Sequence, residues 1–324
     1  MQKIRASLSR LFLNKPSNGE MVRLKQLELL QKKHQGKPFV FDEGNLRFMY
    51  FDGKSVQSAM KLTAPDELIC GYTSAMMAFL LANPAPRHIL MIGLGGGSLV
   101  KFCYRYLPGC RITVLEIDAN VIALREQFML PADDARLKII HCNGVDYLAR
   151  NKLQADVVLL DGFDGAGLVT ELNTAAFYAD CKAALTPEGI LVANIWGKRK
   201  VLVPLLSELR TQFQQNVWWC RSLDSYNLIV FSFKNSAAAF RSPMSVSLPG
   251  MEADLVRQLK ELSGKMHTLL LPQASSSATT STTDNDSSGY EALEVVRLTE
   301  DLSKLMVTDP GLPRSEVEWS ARHQ

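Results

Sequence analysis

The chain has 324 residues, of which 47% are hydrophobic and 21% are charged, and its formal net charge is +3. This length allows a full α/β core with additions, and the composition is that of an ordinary globular protein. The charge is too small for a strongly basic nucleic-acid-binding protein, and no cluster of Lys and Arg changes that. No stretch reaches the roughly 18 apolar residues that a membrane-spanning helix needs. We therefore expect neither nucleic acid nor a membrane as a partner.

The first part of the chain predicts two small segments. Residues 1–37 form a charged, helical lead-in. Its start, MQKIRASLSRLF, is basic as in a transit peptide, but nothing marks a cleavage site, which favours an exposed amphipathic start. Residues 38–66 contain short alternating runs with turn residues between them, which predicts a small β segment. An overlapping helical pattern covers 64–83.

From residue 88 the sequence alternates between apolar runs and helical stretches, most of about ten or more residues. Runs that are apolar on both faces predict parallel strands with helices on both sides. The five candidate strands are 88–94, 111–118, 137–143, 155–162 and 190–196. After a helix at about 200–214, VWWCRSL and NLIVFSFK are separated by only a few residues and predict an antiparallel pair. The predicted fold is a doubly wound, Rossmann-like α/β sheet of five parallel strands plus a terminal antiparallel hairpin, in a domain spanning 67–272.

The last part of the chain changes in composition. One more helix is expected over 252–271. Residues 273–289 include SSSATTSTTDNDSSG, a low-complexity run that predicts a disordered linker. Residues 290–324 predict an amphipathic helix followed by a polar tail.

The cysteines and histidines indicate whether the chain has disulfides or a metal site. The six cysteines are scattered without a CxxC pair, which predicts free thiols in a reducing compartment, the cytoplasm. The five histidines have no ligand spacing. We therefore predict no metal site.

A glycine-rich loop, MIGLGGGSLV at 91–100, follows the first parallel strand and opens a helix. Gly93, Gly95 and Gly97 let the backbone approach a ligand closely, and a helix N-terminus offers free N–H groups. Glu116 ends the second strand about 20 residues later, where an acid accepts both hydroxyls of a ribose. Loop and acid together predict a nucleoside site.

The third strand ends in Asn143 and Gly144. An amide oxygen there can accept a hydrogen bond from an adenine amino group. The ends of parallel strands meet in one crevice, where open α/β sheets bind ligands. A nicotinamide cofactor would fit the glycine-rich loop and these strand ends. A sheet that ends in an antiparallel hairpin, however, resembles the sheet of adenosylmethionine-using enzymes.

Two aspartates follow the fourth strand, in LLDGFDGAG at 159–167. Asp161 and Asp164 are three residues apart. In isolation such a loop is a turn whose carboxylates bond their own backbone. At the end of a strand in the same crevice, the pair becomes a candidate for catalysis.

The chain from about 38 to 235 resembles a polyamine aminopropyltransferase of the spermidine synthase family. Four features carry the resemblance: the β segment before the sheet, VQSAMKLTAPDELICGYTSAM at 56–76, the glycine-rich loop with Glu116, and the Asp-x-x-Asp loop. It implies transfer of an aminopropyl group from decarboxylated S-adenosylmethionine to an amine such as putrescine. The donor would be a co-substrate, with no tightly bound cofactor, and the enzyme a homodimer.

The resemblance also assigns site residues by position. Asp161 would be the catalytic carboxylate, and Tyr72 would hydrogen-bond the amine. Asp164 would bind the far end of the diamine, and Gln57 would line the acceptor pocket. For the donor, Glu116 would hold the ribose. Asn143 and Gly144 would hold the adenine.

The sequence departs from the family at three places. Gly96 stands where an aspartate is usual, and Asn143 also replaces an aspartate. Between the two loop aspartates stand Gly162 and Phe163 instead of small hydroxyl residues. Two alternatives therefore stay open: a methyltransferase that uses intact S-adenosylmethionine, and a binding protein that has kept a nucleoside pocket without turnover.

Overall fold

The structure is a computed structural model. It describes residues 18–51, 56–164, 167–168, 170–196, 199–214, 216–222, 225, 227–235, 251 and 253–268. The predicted linker (273–289), the predicted C-terminal helix and tail (290–324) and the first half of the lead-in lie outside these residues.

A helix and a small antiparallel sheet precede the main domain. They comprise α1 (Asn18–His34), β1 (Phe39–Glu43), β2 (Leu46–Tyr50) and β3 (Val56–Lys61), with the strands in the order β1-β2-β3. Leu27 from the helix packs with Phe39 and Tyr50 from the strands in a small core of their own. The predicted β segment is therefore a three-stranded meander.

The main sheet has eight strands in the order β13-β11-β12-β10-β7-β4-β5-β6. Its strands are β4 (His88–Ile92), β5 (Arg111–Glu116), β6 (Leu137–His141), β7 (Ala155–Leu160), β10 (Leu185–Ile195), β11 (Val217–Arg221), β12 (Leu228–Phe233) and β13 (His267–Thr268). The five strands β10, β7, β4, β5 and β6 are parallel to one another. Beyond β10, the strands β12, β11 and β13 each pair antiparallel with the strand before them in the sheet. The prediction of five parallel strands with a terminal hairpin is confirmed. A separate two-residue ribbon pairs β8 (Phe163–Asp164) with β9 (Gly167–Leu168).

Helices connect the strands. They are α2 (Gly71–Met76), α3 (Ser98–Tyr106), α4 (Ala119–Ala123), α5 (Gly144–Arg150), α6 (Ala175–Ala184), α7 (Arg199–Phe213) and α8 (Ala253–Ser263), with 3₁₀ turns at Met77–Leu81 and Thr170–Leu172. Among the helices that separate the parallel strands, α4 with five residues and α5 with seven are clearly shorter than the stretches of about ten expected from the sequence.

Two predicted helices were wrong in extent. The helix expected over 64–83 begins only at Gly71, because Ala64 pairs back onto Lys61 and the Lys61 ammonium lies 2.7 Å from the Glu67 carboxylate. The helix expected over 252–271 ends at Ser263. Gly264 follows it, a residue type that favours helix termination, and the chain then turns back to form β13 against β11.

The core lies on both faces of the sheet. Val157 and Leu159 of β7 point into one apolar cluster, while Val158 and Leu160 point into the other. Alternation between two buried faces explains why these strands are apolar at every position. No helix in the described part of the chain is long and apolar enough to cross a membrane.

All six cysteines are free thiols. Four of them are buried: Cys103, Cys110, Cys181 and Cys220. Burial raises the pKa of each of these four thiols, to about 12 at Cys110 and Cys220. The thiolate is the reactive form, so these side chains are chemically inert at neutral pH.

Candidate active site

The first residues after β4 and β7 each bond to a neighbouring strand at the edge of the sheet. The Asp161 amide donates to the Ile92 carbonyl at 2.9 Å, and the Gly93 amide donates to the Leu115 carbonyl at 2.9 Å. The parallel ladder thus continues one residue beyond the strands. It places the glycine-rich loop directly beside the aspartate loop, at the carboxyl edge where such sheets bind ligands.

The close approach of the two loops requires a glycine at position 93. Its φ is +97°, and a Cβ atom at this position would lie 2.2 Å from the Asp161 carbonyl oxygen. Only glycine adopts this conformation without strain and leaves room for the second backbone. The glycine-rich loop and the candidate catalytic residue are therefore held together by main-chain contact.

The next glycines shape the turn into α3. Gly95 and Gly97 have φ values of +51° and +65°, and Gly97 caps the helix. A Cβ atom on Gly96 would lie 2.6 Å from the Ser58 hydroxyl oxygen and 2.8 Å from the Phe128 ring. The departure from the family at Gly96 therefore has a packing reason, because β3 and the segment after α4 occupy the space of a side chain.

Glu116 is fixed by two backbone donors. One carboxylate oxygen accepts from the Leu94 amide at 2.8 Å, and the other accepts from the Asp118 amide at 2.8 Å. The residue is only 7% exposed, and burial raises its pKa although the backbone bonds oppose this. Each oxygen keeps a second lone pair. The carboxylate is thus oriented at the glycine-rich loop with acceptor capacity left for ligand hydroxyls.

Asn143 has a structural role in the described contacts. Its side-chain oxygen accepts from the Val145 amide at 2.8 Å and caps the N-terminus of α5. A Cβ atom on Gly144 would lie 2.9 Å from a methyl group of Ile92, so the third strand end packs closely against the first. The contact with adenine stays a prediction, for which the oxygen retains one lone pair.

Asp161 lies at the centre of a side-chain network. Its carboxylate accepts from the Asn194 amide group at 2.9 Å and from the Tyr72 hydroxyl. Asn194 is 2% exposed, and its own oxygen accepts from the Asn227 amide group at 2.8 Å. Burial raises the pKa of Asp161 more than the two hydrogen bonds lower it. A carboxylate whose pKa is raised in this way is a stronger base than an exposed aspartate, as proton abstraction requires.

Asn194 and Asn227 were not predicted as site residues from the sequence. Asn194 interrupts the apolar run ILVANIW, and Asn227 directly precedes the apolar run LIVFSF. A single amide in a run that is otherwise buried must find a hydrogen-bonding partner. That requirement is the signal that could have identified them.

The structure brings four of the predicted site residues into one place. Gly93, Glu116 and Asp161 lie at the edge formed by β4, β5 and β7, and Tyr72 of α2 reaches Asp161 there. Gln57 lies half-buried on β3, next to the serine that packs under Gly96. The backbone of Asp164 belongs to β8, while its side chain lies outside the described residues. Among the residues that the structure describes, no group of three or more His, Cys, Asp or Glu could hold a metal ion.

Comparison with known structures defines the class of fold. A probable spermidine synthase from Corynebacterium glutamicum has a TM-score of 0.54 at 19% identity, covering 76% of this chain and 95% of that one. A spermidine synthase in complex with the transition-state analogue AdoDATO has a TM-score of 0.52 at 18% identity, covering 68% and 84%. The sheet is thus the Rossmann-like sheet of the methyltransferase type.

Comparison of sequences defines the family. The model of the spermine/spermidine synthase domain matches residues 69–232. A polyamine aminopropyltransferase from Chromobacterium violaceum is 37% identical over 198 residues, which is 61% of this chain and 76% of that protein. The chain belongs to the spermine/spermidine synthase family. It is a transferase.

Proposed function

We propose that this chain transfers an aminopropyl group from decarboxylated S-adenosylmethionine to a polyamine such as putrescine. The observation that carries the proposal is Asp161, a partly buried carboxylate held by Tyr72 and Asn194 beside the glycine-rich loop. Relatives named polyamine aminopropyltransferase support it, as does the AdoDATO complex of a spermidine synthase with this fold.

The acceptor must first lose a proton. A primary amine has a pKa near 10 and is a cation at pH 7, so freeing its lone pair costs roughly 4 kcal/mol. The Asp161 carboxylate attracts the cation and then accepts its proton. The Tyr72 hydroxyl, which reaches the same carboxylate, fixes the direction from which the nitrogen approaches.

The freed nitrogen then attacks the carbon bonded to the sulfonium sulfur. A new carbon–nitrogen bond forms as the carbon–sulfur bond breaks, and the electron pair of that bond leaves with the neutral thioether, methylthioadenosine. Alignment of nitrogen, carbon and sulfur supplies most of the remaining rate gain. Asp161 releases its proton to solvent before the next turnover.

The donor lies along the strand ends. Glu116, already oriented by two backbone donors, accepts the ribose hydroxyls, and Asn143 and Gly144 flank the adenine. Gly93, Gly95 and Gly97 let the loop backbone approach the donor. Asp164 and Gln57 complete the acceptor side. The donor is a co-substrate that leaves after each turnover.

The wider organisation follows the same proposal. Residues 38–66 form the acceptor-side β segment, and residues 67–272 form the catalytic domain. The enzyme works as a homodimer in the cytoplasm, on small-molecule substrates.

Binding calorimetry tests the proposal directly. Decarboxylated S-adenosylmethionine should bind the wild-type protein more tightly than intact S-adenosylmethionine, with methylthioadenosine binding as product. Replacing Glu116 with Ala should weaken all three at least about tenfold, because a charge-assisted hydrogen bond contributes about 1.5–3 kcal/mol. Asp146, an exposed carboxylate in the first turn of α5, provides the control variant Asp146→Asn.

Each other outcome has a meaning. Tighter binding of the intact donor would replace aminopropyl transfer with methyl transfer. If none of the three compounds binds, the crevice is not a donor site and the proposed aminopropyl transfer is refuted.

The amide network gives a second prediction. Replacing Asn194 with Leu, a side chain of similar volume, should move the acidic limb of the pH–rate profile about 1–2 pH units upward. The reason is that Asp161 loses a donor to its charged form, worth about 1.5–3 kcal/mol. The measurement is kcat from pH 5 to 9. Asn151→Leu, on a surface amide that bonds the Tyr147 carbonyl, should leave the limb in place, and an unmoved limb in the Asn194 variant would contradict the role.

A further inference from the structure

Three hydrogen-bonded side chains form a row across the ends of three neighbouring strands. Asp161 follows β7, Asn194 lies near the end of β10, and Asn227 directly precedes β12. The Asn194 amide nitrogen donates to the Asp161 carboxylate at 2.9 Å, and the Asn227 amide nitrogen donates to the Asn194 oxygen at 2.8 Å. We call these three side chains the amide row. Asn227 reaches the candidate site because β12 of the terminal hairpin pairs with β10.

The register of the sheet explains why these side chains meet. In the antiparallel ladder between β10 and β12, Asn227 lies two residues from the pairing partner of Asn194. Residues at such diagonal positions share one face of the sheet and can touch. In the parallel ladder, Ala193 pairs with Leu160, so the next residue on each strand brings Asn194 beside Asp161. The order of the row therefore follows from strand pairing.

Asn194 is buried, so both ends of its amide need a partner. The residue is 2% exposed, and a buried polar group without a hydrogen bond lowers stability. The amide nitrogen only donates and the amide oxygen only accepts. Because a carboxylate also only accepts, Asp161 pairs with the nitrogen. The oxygen then faces Asn227, which has to donate, as it does in the structure.

The direction of the amide determines which form of Asp161 is favoured. With its nitrogen towards Asp161, Asn194 stabilises the carboxylate, which is the form that accepts a proton. Turned around, its oxygen would face the carboxyl group and stabilise the protonated form, which can donate to that oxygen. In the described part of the chain, the Tyr72 hydroxyl is the other side-chain group that acts on Asp161. The orientation of one uncharged amide therefore changes how readily Asp161 takes a proton.

We propose that Asn227 is a positioning residue that keeps the nitrogen of Asn194 turned towards Asp161 and thereby keeps the candidate base ionised. Asn227 acts on Asp161 through Asn194. The inference rests on the proposed function for the reaction that Asp161 carries out. The direction of the amide is a property of the free protein, so it can be tested without substrate.

Asn227→Asp reverses the row with almost no change in the size of the side chain. The introduced carboxylate only accepts, so the Asn194 nitrogen turns to it and the Asn194 oxygen turns to Asp161. The folded-state pKa of Asp161 should rise about 1–2 pH units, the effect of losing a hydrogen bond to a charged group. Asn227→Leu removes the donor and lets the amide turn either way, so it should cause a smaller rise. If Asn227 were merely structural, Leu would perturb Asp161 at least as much as Asp.

Unfolding of the free protein in urea measures this pKa. For the wild type and for each Asn227 variant, the free energy of unfolding is compared with and without Asp161→Asn from pH 4 to 9. A raised pKa makes the folded chain bind more protons than the unfolded one, so the advantage of Asp161→Asn grows with pH and levels off at the folded-state pKa of Asp161. The pH of levelling should increase in the order wild type, Asn227→Leu, Asn227→Asp. The acidic limb of kcat should follow the same order.

Two controls separate the direction of the amide from other effects. Asn151→Asp makes the same substitution at an exposed amide that donates to the Tyr147 carbonyl, and it should leave the pKa of Asp161 unchanged. In the Asn194→Leu background, Asn227→Asp keeps its charge but has no amide to turn, so it should add little to that pKa. A charge acting through space would instead add the same amount in both backgrounds.

The outcomes are distinguishable. An unchanged pKa of Asp161 in Asn227→Asp, or an equal rise in both backgrounds, overturns the proposal. If the double variant does not fold, Asn227→Leu decides because it adds no charge: a rise supports the proposal, and the absence of a rise overturns it. If the expected order of pKa values is found but the wild type transfers no aminopropyl group, the role of Asn227 stands and the proposed function is refuted.

Discussion

Replacing Asp161 with Asn should lower kcat about 100- to 10,000-fold, the usual contribution of a general base. The variant keeps the size and the hydrogen-bonding oxygen of the side chain, so Asn194 and Tyr72 retain a partner. It loses only the ability to take the proton of the acceptor amine. Binding of the donor should be unchanged, and steady-state kinetics with putrescine provide the measurement.

The same variant should be more stable than the wild type at neutral pH. Burial raises the folded-state pKa of Asp161 above its ordinary value of 3.8. As pH rises from 3.8 through the raised value, the folded chain binds more protons than the unfolded one, so stability is lost. Asparagine has no proton to lose. Its advantage in Tm should therefore grow with pH across that window and then stay constant.

Asp156 is the matched control, at the opposite end of the same strand. Its carboxylate accepts from the Arg87 amide at 2.7 Å and the His88 amide at 3.1 Å. Asp156→Asn should lower Tm and leave kcat per folded molecule unchanged. An Asp161→Asn enzyme with more than a tenth of wild-type kcat would remove Asp161 from the mechanism.

Replacing Gly93 with Ala should damage both folding and activity. The residue would adopt φ near +97°, at a cost of about 1–3 kcal/mol, and its Cβ atom would meet the Asp161 carbonyl oxygen. To relieve the overlap, the glycine-rich loop must separate from the aspartate loop. We expect a lower free energy of unfolding in urea and, in the molecules that fold, weaker donor binding together with a lower kcat.

Gly109 offers a control in the turn before β5. No atom lies within 4 Å of the position that its Cβ would occupy, and its φ is not positive. Gly109→Ala should be neutral or slightly stabilising, because alanine reduces the entropy of the unfolded chain. A Gly93→Ala protein with wild-type stability would show that the two loops can separate without cost.

The parallel sheet was predictable because its strands carry their own signal. Val157 to Leu160 are apolar at every position, which happens when both faces are buried, and the glycine-rich loop marks the first strand end. Element ends were less predictable. The start of α2 depends on the contact of Lys61 with Glu67, and β13 depends on pairing with a strand that is distant in sequence.

The candidate site divides in the same way. Asp161 and Glu116 could be found because each ends a strand at a position that parallel topology brings to one edge. The burial of Lys101 behind the loop could not be predicted, because a lysine in a helix is usually exposed, whereas this one is 4% exposed and its ammonium donates to the Gly96 carbonyl. The lack of space for a side chain at Gly96 was likewise not predictable, because Ser58 and Phe128, which fill that space, come from distant parts of the chain.

Because four thiols are buried, the extent of their alkylation measures the fraction of molecules that have unfolded. Their raised pKa values leave almost no thiolate in the folded chain at neutral pH, so a reagent such as iodoacetamide reaches them only when the chain opens. Cys103 and Cys220 lie in the cluster on one face of the sheet and Cys181 in the cluster on the other. Mass spectrometry of labelled peptides would therefore report whether the two faces open together or in sequence. It would do so without an engineered cysteine, in the wild-type chain itself.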